Sequence, residues 1–188
     1  MATAATRLLT VEEFLEIEFD LDGDTPRVEL DNGVVWAMAG GSAAHSRVQG
    51  NIFAILFEQL RGTGCRPHGP DMGVRTHDLS LRYPDASVFC GREGAENDKM
   101  KQFDDPKFVA EVLSPTTRRK DEDVKLPEYR AVHSLDTILY VDPEKETVRL
   151  SFRTETGGWR DVEVERGDDI SIKSLSVTLR WSDIFARD

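Results

Sequence analysis

The stretch Phe108-Val-Ala-Glu-Val-Leu113 constrains this chain more than any other. It is short, almost wholly apolar and rich in β-branched residues, the pattern of a strand covered on both faces. Such a strand needs a layer on each side, so the expected fold class is α/β, a mixed sheet flanked by helices with additional β-hairpins. Alternation puts Val109, Glu111 and Leu113 on one face and Phe108, Ala110 and Val112 on the other. Glu111 is then an acid removed from water, which costs several kcal/mol unless a partner offsets it.

The remaining sequence supplies the layers. Thr10-Val-Glu-Glu13 has capping-box spacing and opens a short helix. The acidic stretch 18–26 reads as a loop, and Arg27-Val-Glu-Leu30 and Val34-Val-Trp-Ala-Met38 flank the turn Asp31-Asn-Gly33 as a hairpin. From about His45, Val48, Ile52, Ile55, Leu56 and Leu60 recur at helical spacing, predicting the longest helix, lying across the sheet. Gly73–His77 and Leu81–Phe89 are expected as two strands of a second hairpin, and 91–107 as a polar surface loop. A helix is predicted from about Asp123 to Val132, a buried strand over Asp136–Asp142, and hairpin strands thereafter. No linker divides the chain, so 1–188 is expected to be one domain.

Composition narrows the class. Hydrophobic residues make up 39% and charged residues 31% of the 188, enough apolar material for a packed core. No run approaches the length needed to span a bilayer and no secretory leader is legible, so a cytoplasmic protein without a membrane partner is expected. Cys65 and Cys90 belong to no CxxC pair and stand near no histidine at metal-ligand spacing, so they read as reduced small hydrophobes, a single bridge between them staying formally possible. The net charge of −11 argues against a broadly basic nucleic-acid surface. Binding, however, follows the local field, and part of that charge can sit in a site that a divalent cation neutralises.

Asp85 follows Tyr83-Pro84 in a strand otherwise made of Ala, Ser, Val and Phe. Proline suits a strand's first residue, which leaves Asp85 near a strand end where a site can open to solvent. If its strand neighbours that of Glu111, the two carboxylates converge. A hard divalent cation with oxygen ligands at about 2.0 to 2.6 Å then turns their repulsion into coordination. Lys125 is expected in the first turn of its helix, where a cation opposes the helix dipole at a cost of ~0.3 to 1 kcal/mol and calls for a negative partner. Pro127 supports that early position, and Tyr129 shares the face of Lys125.

Together, Tyr83-Pro-Asp85, Val109-Ala-Glu111-Val-Leu-Ser-Pro-Thr-Thr117, Asp121, Lys125-Leu-Pro-Glu-Tyr129 and Leu139-Tyr-Val-Asp-Pro143 resemble the Uma-two family of restriction-endonuclease-like proteins. That family is a branch of the PD-(D/E)XK nuclease superfamily. The resemblance spans nearly the whole chain, including Glu29-Leu-Asp-Asn-Gly33 and the helix start at His45-Ser46. It implies a restriction-endonuclease-like fold and a Mg2+-dependent (or Mn2+-dependent) endonuclease acting on nucleic acid, with DNA the expected polymer. It further implies Asp85 and Glu111 as metal ligands, Glu29 as a ligand through water, and a lysine that stabilises the phosphate or orients the attacking water. Leu113 stands where the superfamily pattern has that lysine, two residues after Glu111, so the role passes to Lys125. A homodimer is expected by analogy with related nucleases.

Other residues carry weaker signals. His45 is a candidate phosphate contact or a structural histidine at a helix start. Arg118-Arg119-Lys120 could meet a phosphate backbone or form a solvated loop, and Tyr129 is a candidate substrate contact beside Lys125. His68, His77 and His133 lack zinc-protease spacing, and Ser114 lacks the glycine elbow of a nucleophile. Two other functions stay open: a non-catalytic nucleic-acid- or protein-binding module on the same fold, and a metal-dependent hydrolase of a non-polymeric substrate.

Overall fold

The computed structural model describes residues 7–17, 27–38, 40–92, 94–115 and 118–187, and the acidic stretch 18–26 lies outside them. The first part of the chain forms α1 (Val11–Glu16), β1 (Val28–Asp31), β2 (Val34–Ala37), α2 (Ala43–Gln59), β3 (Cys65–His68), β4 (Gly73–His77), β5 (Ser80–Arg82) and β6 (Ala86–Cys90). Next come β7 (Gln102–Phe103), β8 (Phe108–Val112), α3 (Arg118–Lys120), a π-helical turn (Asp121–Lys125) and α4 (Leu126–Ala131). The chain closes with β9 (Thr137–Asp142), β10 (Thr147–Arg153), β11 (Trp159–Val164), β12 (Ile170–Ile172), β13 (Val177–Leu179) and α5 (Trp181–Ile184).

Six strands form a mixed sheet in the order β11-β10-β9-β8-β6-β3, in which β8 runs parallel to β9 and antiparallel to β6. Five form a second sheet, β2-β1-β5-β4-β7, and β12 pairs with β13 as a ribbon. The apolar run is β8, buried at every position. Its two faces divide as alternation requires: Phe108, Ala110 and Val112 pack with Val48, Ile52 and Leu56 of α2 and with residues of α5. Val109 and Leu113 join Tyr129 and Tyr140 in the opposite core.

Local chemistry explains the ends of the elements. Thr10 and Glu13 form the reciprocal capping box of α1. The Ser42 hydroxyl accepts the His45 N–H at 3.2 Å to cap α2. The β1–β2 turn places both Asn32 and Gly33 at positive φ, 48° and 78°, which is why Asn-Gly stands there.

Four expectations are corrected. The strand expected over Leu81–Phe89 is two, because β5 pairs in the five-stranded sheet and β6 in the six-stranded one. The expected polar loop 91–107 carries a short 3-10 turn at Ala95–Asn97 and strand β7. The helix predicted from Asp123 is already turning at Arg118, and the Leu126 N–H bonds five residues back to the Asp121 carbonyl. That widened turn makes room for the ring of Pro127 inside a helix, so Lys125 stands in mid-helix and the dipole argument does not apply to it. Finally, Cys65 and Cys90 form a disulfide, because β3 and β6 set them directly opposite one another. Among the described residues no helix is long and apolar enough to cross a membrane.

Candidate active site

Because β5 and β6 belong to different sheets, Tyr83, Pro84 and Asp85 carry the chain from one to the other. A cleft of about 700 Å³ opens at this crossing, walled by β1–β2, the start of α2, the strand ends at Asp85 and Glu111, and the π-helical turn. The antiparallel pairing of β6 with β8 brings Asp85 beside the end of β8, where its Oδ2 accepts the Val112 N–H at 2.7 Å. His45 reaches the same carboxylate oxygen from α2, Nε2 to Oδ2 3.4 Å.

Glu111 forms the floor. Its Oε1 accepts the Tyr129 hydroxyl at 2.7 Å and lies 3.2 Å from Lys125 Nζ. The same ammonium is 2.9 Å from Asp121 Oδ1 and 3.8 Å from Glu29 Oε2. Lys120 Nζ approaches Glu29 Oε1 at 2.5 Å from the outer side. Asp121 and Lys125 are one helical turn apart, a spacing that lets both side chains face the cleft. The Asp121 carbonyl is itself held by the Tyr140 hydroxyl at 3.1 Å.

Burial dominates the protonation of this floor. It pushes the Glu111 carboxyl up to about 8, against the pull of Lys125 and with the push of Asp121 and Asp85. Burial alone would lower Lys125, but Glu111, Asp121 and Glu29 reverse this and hold its ammonium above the ordinary lysine range. Tyr129 is raised by burial and then by Glu111, so it stays a hydroxyl and donates. The Asp85 carboxylate raises His45 against partial burial.

Behind the floor lies a second ionic cluster. Arg82 is fully buried; its Nε and Nη2 grip the two oxygens of Glu128 at 2.7 and 2.8 Å, and Nη2 also meets Asp31 at 2.9 Å. Its Nη1 is 3.4 Å from Glu29 Oε1, so Glu29 belongs to both clusters.

The donor set can be weighed against a divalent cation. Glu29, Asp85, Glu111 and Asp121 line the cleft with Arg27, Lys120 and Lys125, which leaves the carboxylates in excess by one formal charge, His45 taken as neutral. Glu29 faces Arg82, Lys120 and Lys125, whereas Glu111 faces Lys125 and Asp85 faces His45. Among the described residues no three His, Cys, Asp or Glu side chains are grouped to enclose an ion.

Of the residues singled out from sequence, the fold thus brings together Glu29, His45, Asp85, Glu111 and Lys125. Tyr129 adjoins them from beneath, fully buried against Glu111 and out of reach of a substrate. Arg118 and Arg119 are not in the cleft. Arg118 pairs with Asp142 in a separate small pocket, and Arg119 is 95% exposed beside Asp123. Asp121 was missed as a site residue, although its spacing to Lys125 offered the signal. Trp36 was missed too, and it is legible only once β1 and β2 are paired.

A mixed sheet with helices on both faces and a carboxylate cleft at the strand ends is a nuclease-like architecture. The solved structure of a nuclease, described as putative and belonging to DUF820, from Anabaena variabilis matches it with a TM-score of 0.72 over 94% of this chain and 97% of that one, at 19% identity. Residues 11–183 match the family model Uma2, described as "Putative restriction endonuclease", and the chain belongs to that family. Two uncharacterized proteins of Synechocystis sp. (strain ATCC 27184 / PCC 6803 / Kazusa) are also similar. Protein slr1290 is 25% identical over 90% of this chain and 87% of its own length. Protein sll1609 is 27% identical over 76% of this chain and 79% of its own.

Proposed function

We propose that the chain is a Mg2+-dependent endonuclease that hydrolyses phosphodiester bonds in nucleic acid, with DNA the expected polymer. The observation that carries this reading is Glu111: a buried carboxyl, raised by desolvation, on the floor of an open cleft beside Asp85. Asp85 and Glu111 would hold the ion, which would take the place of the Glu111 proton and supply charge to polarise a phosphate oxygen and acidify water. Lys125, kept protonated by its three carboxylates, acts as a fixed positive charge and not as a base. Tyr129 fixes the Glu111 rotamer from below through its hydroxyl. Family membership and the nuclease-like fold support the same reaction class.

The test is cleavage of plasmid and oligonucleotide substrates by purified protein in Mg2+ or Mn2+. Wild type should cut, chelation should stop it, and Glu111→Gln or Asp85→Ala should lower the rate by about 10²- to 10³-fold or more. Cleavage persisting in both variants would sink the assignment. A non-catalytic binding module is favoured by one observation, that Glu111 already has Lys125 and Tyr129 as partners without any metal. Metal-independent binding without cleavage would select it.

A further inference from the structure

The cleft has a rim as well as a floor, and the rim is aromatic. Trp36 stands on β2 directly across from Glu29 of β1, so the two side chains share the face that looks into the cleft. Although it lines a walled cavity, Trp36 is 51% exposed, an unusual state for the largest apolar side chain. Lys120, which meets Glu29 on the floor, also lies 4.9 Å from the Trp36 ring centroid and so ties the ring to the ionic cluster. Met38 and Tyr83 continue the apolar wall beside it.

The charges of the cleft point the same way. Its described cations already have carboxylates: Arg27 meets Asp71 at 2.7 Å, Lys120 meets Glu29 at 2.5 Å and Lys125 meets Asp121 at 2.9 Å. With a net charge of −11 besides, the protein has little to offer a duplex through its phosphates. The open surface it does offer is a π-face, and a base can meet that face only when it has left its own stack.

We infer that the cleft takes an unpaired nucleotide, its base stacked on Trp36 and its phosphate directed to the Asp85–Glu111 floor, so that the substrate class is single-stranded or locally unpaired nucleic acid. This rests on the nuclease reading above. Stacking leaves the sugar free, so DNA and RNA strands of one sequence form separate arms of the test.

Fluorescence anisotropy in Ca2+, without cleavage, would compare labelled single strands with the matched blunt duplex. Wild type should favour the single strand by about tenfold or more. Trp36→Ala should remove most of that preference, and Trp36→Phe should retain it; both change an exposed ring and leave the core intact. Equal affinity for duplex and single strand, or Trp36→Ala binding single strands as wild type does, would overturn the inference. So would a Trp36→Ala effect confined to self-association, which would assign the rim to a second copy of the chain. Mg2+-dependent cleavage indifferent to Trp36 and to strandedness refutes this inference alone. Trp36-dependent single-strand binding with no cleavage in any metal refutes the nuclease reading instead.

Discussion

Lys125 and Arg82 are both buried cations, each facing three carboxylates, and they share Glu29. Their surroundings nevertheless differ in kind. Arg82 meets Glu128 with the parallel fork that a guanidinium is built for, and Arg82, Asp31 and Glu128 are outside the cleft lining, which only Glu29 of that cluster reaches. Lys125 is a point charge serving carboxylates on the cleft itself, one of which, Glu111, is held far from its ordinary pKa. A buried ion cluster is therefore not a functional mark by itself. What distinguishes the Lys125 cluster is access from solvent together with a carboxyl whose pKa burial raises.

The largest effect expected from this comparison is on stability. Arg82→Leu removes the guanidinium fork from Glu128 and leaves Glu29 and Asp31 to the lysines alone, and should cost about 3 to 5 kcal/mol in urea unfolding. Lys125→Ala should lose a similar amount without metal. Mg2+ should restore more stability to Lys125→Ala, since Glu111 and Asp121 line the cleft whereas Asp31 and Glu128 do not. Equal rescue of both variants would break the distinction.

A smaller effect concerns pH. A carboxyl with its folded pKa raised from the ordinary 4.5 to about 8 binds its proton more tightly in the folded chain. Its contribution is complete below the unfolded value and is lost as pH rises toward 8, by at most about 1.4 kcal/mol per unit. The metal-free melting temperature should therefore fall between pH 6 and pH 8, to the extent that Glu111 dominates the titration. Mg2+ should raise it more at pH 8, because the ion need not expel a proton. A Mg2+ effect independent of pH would remove Glu111 from the metal site.

The smallest effect isolates Tyr129, whose hydroxyl lowers the Glu111 pKa by favouring the charged form. Tyr129→Phe should cost about 1 kcal/mol and shift the pH dependence of Mg2+ binding upward, with no change in strand preference. A loss of nucleic-acid affinity in this variant would instead make Tyr129 a substrate contact.

Much of the fold could be read from the chain because hydrophobic periodicity is a local property. The β8 run, the Val48–Ile52–Leu56 stripe and the Asn32-Gly33 turn each specify their element without reference to the rest. Asp85 and Glu111 stood out for a related reason, since an acid in an apolar strand conflicts with its surroundings, whereas the first-turn position that singled out Lys125 does not hold in the structure. The helix start failed because Pro127 in a regular helix marks a beginning, whereas a π-helical turn admits it further along. The β5–β6 break failed because each half reads as good strand, and only pairing with different sheets separates them.

The sequence by itself determined most of the strands and helices and the removal of Glu111 from water, because those follow from spacing along the chain. Tertiary structure alone decided the company each side chain keeps. It set Cys65 against Cys90, turned Tyr129 beneath Glu111, took Arg118 away to Asp142, and brought Trp36 to the rim beside Glu29. The first three join residues 18 to 25 apart, on elements that only strand pairing and helix packing bring together, whereas Trp36 meets Glu29 across the short β1–β2 hairpin.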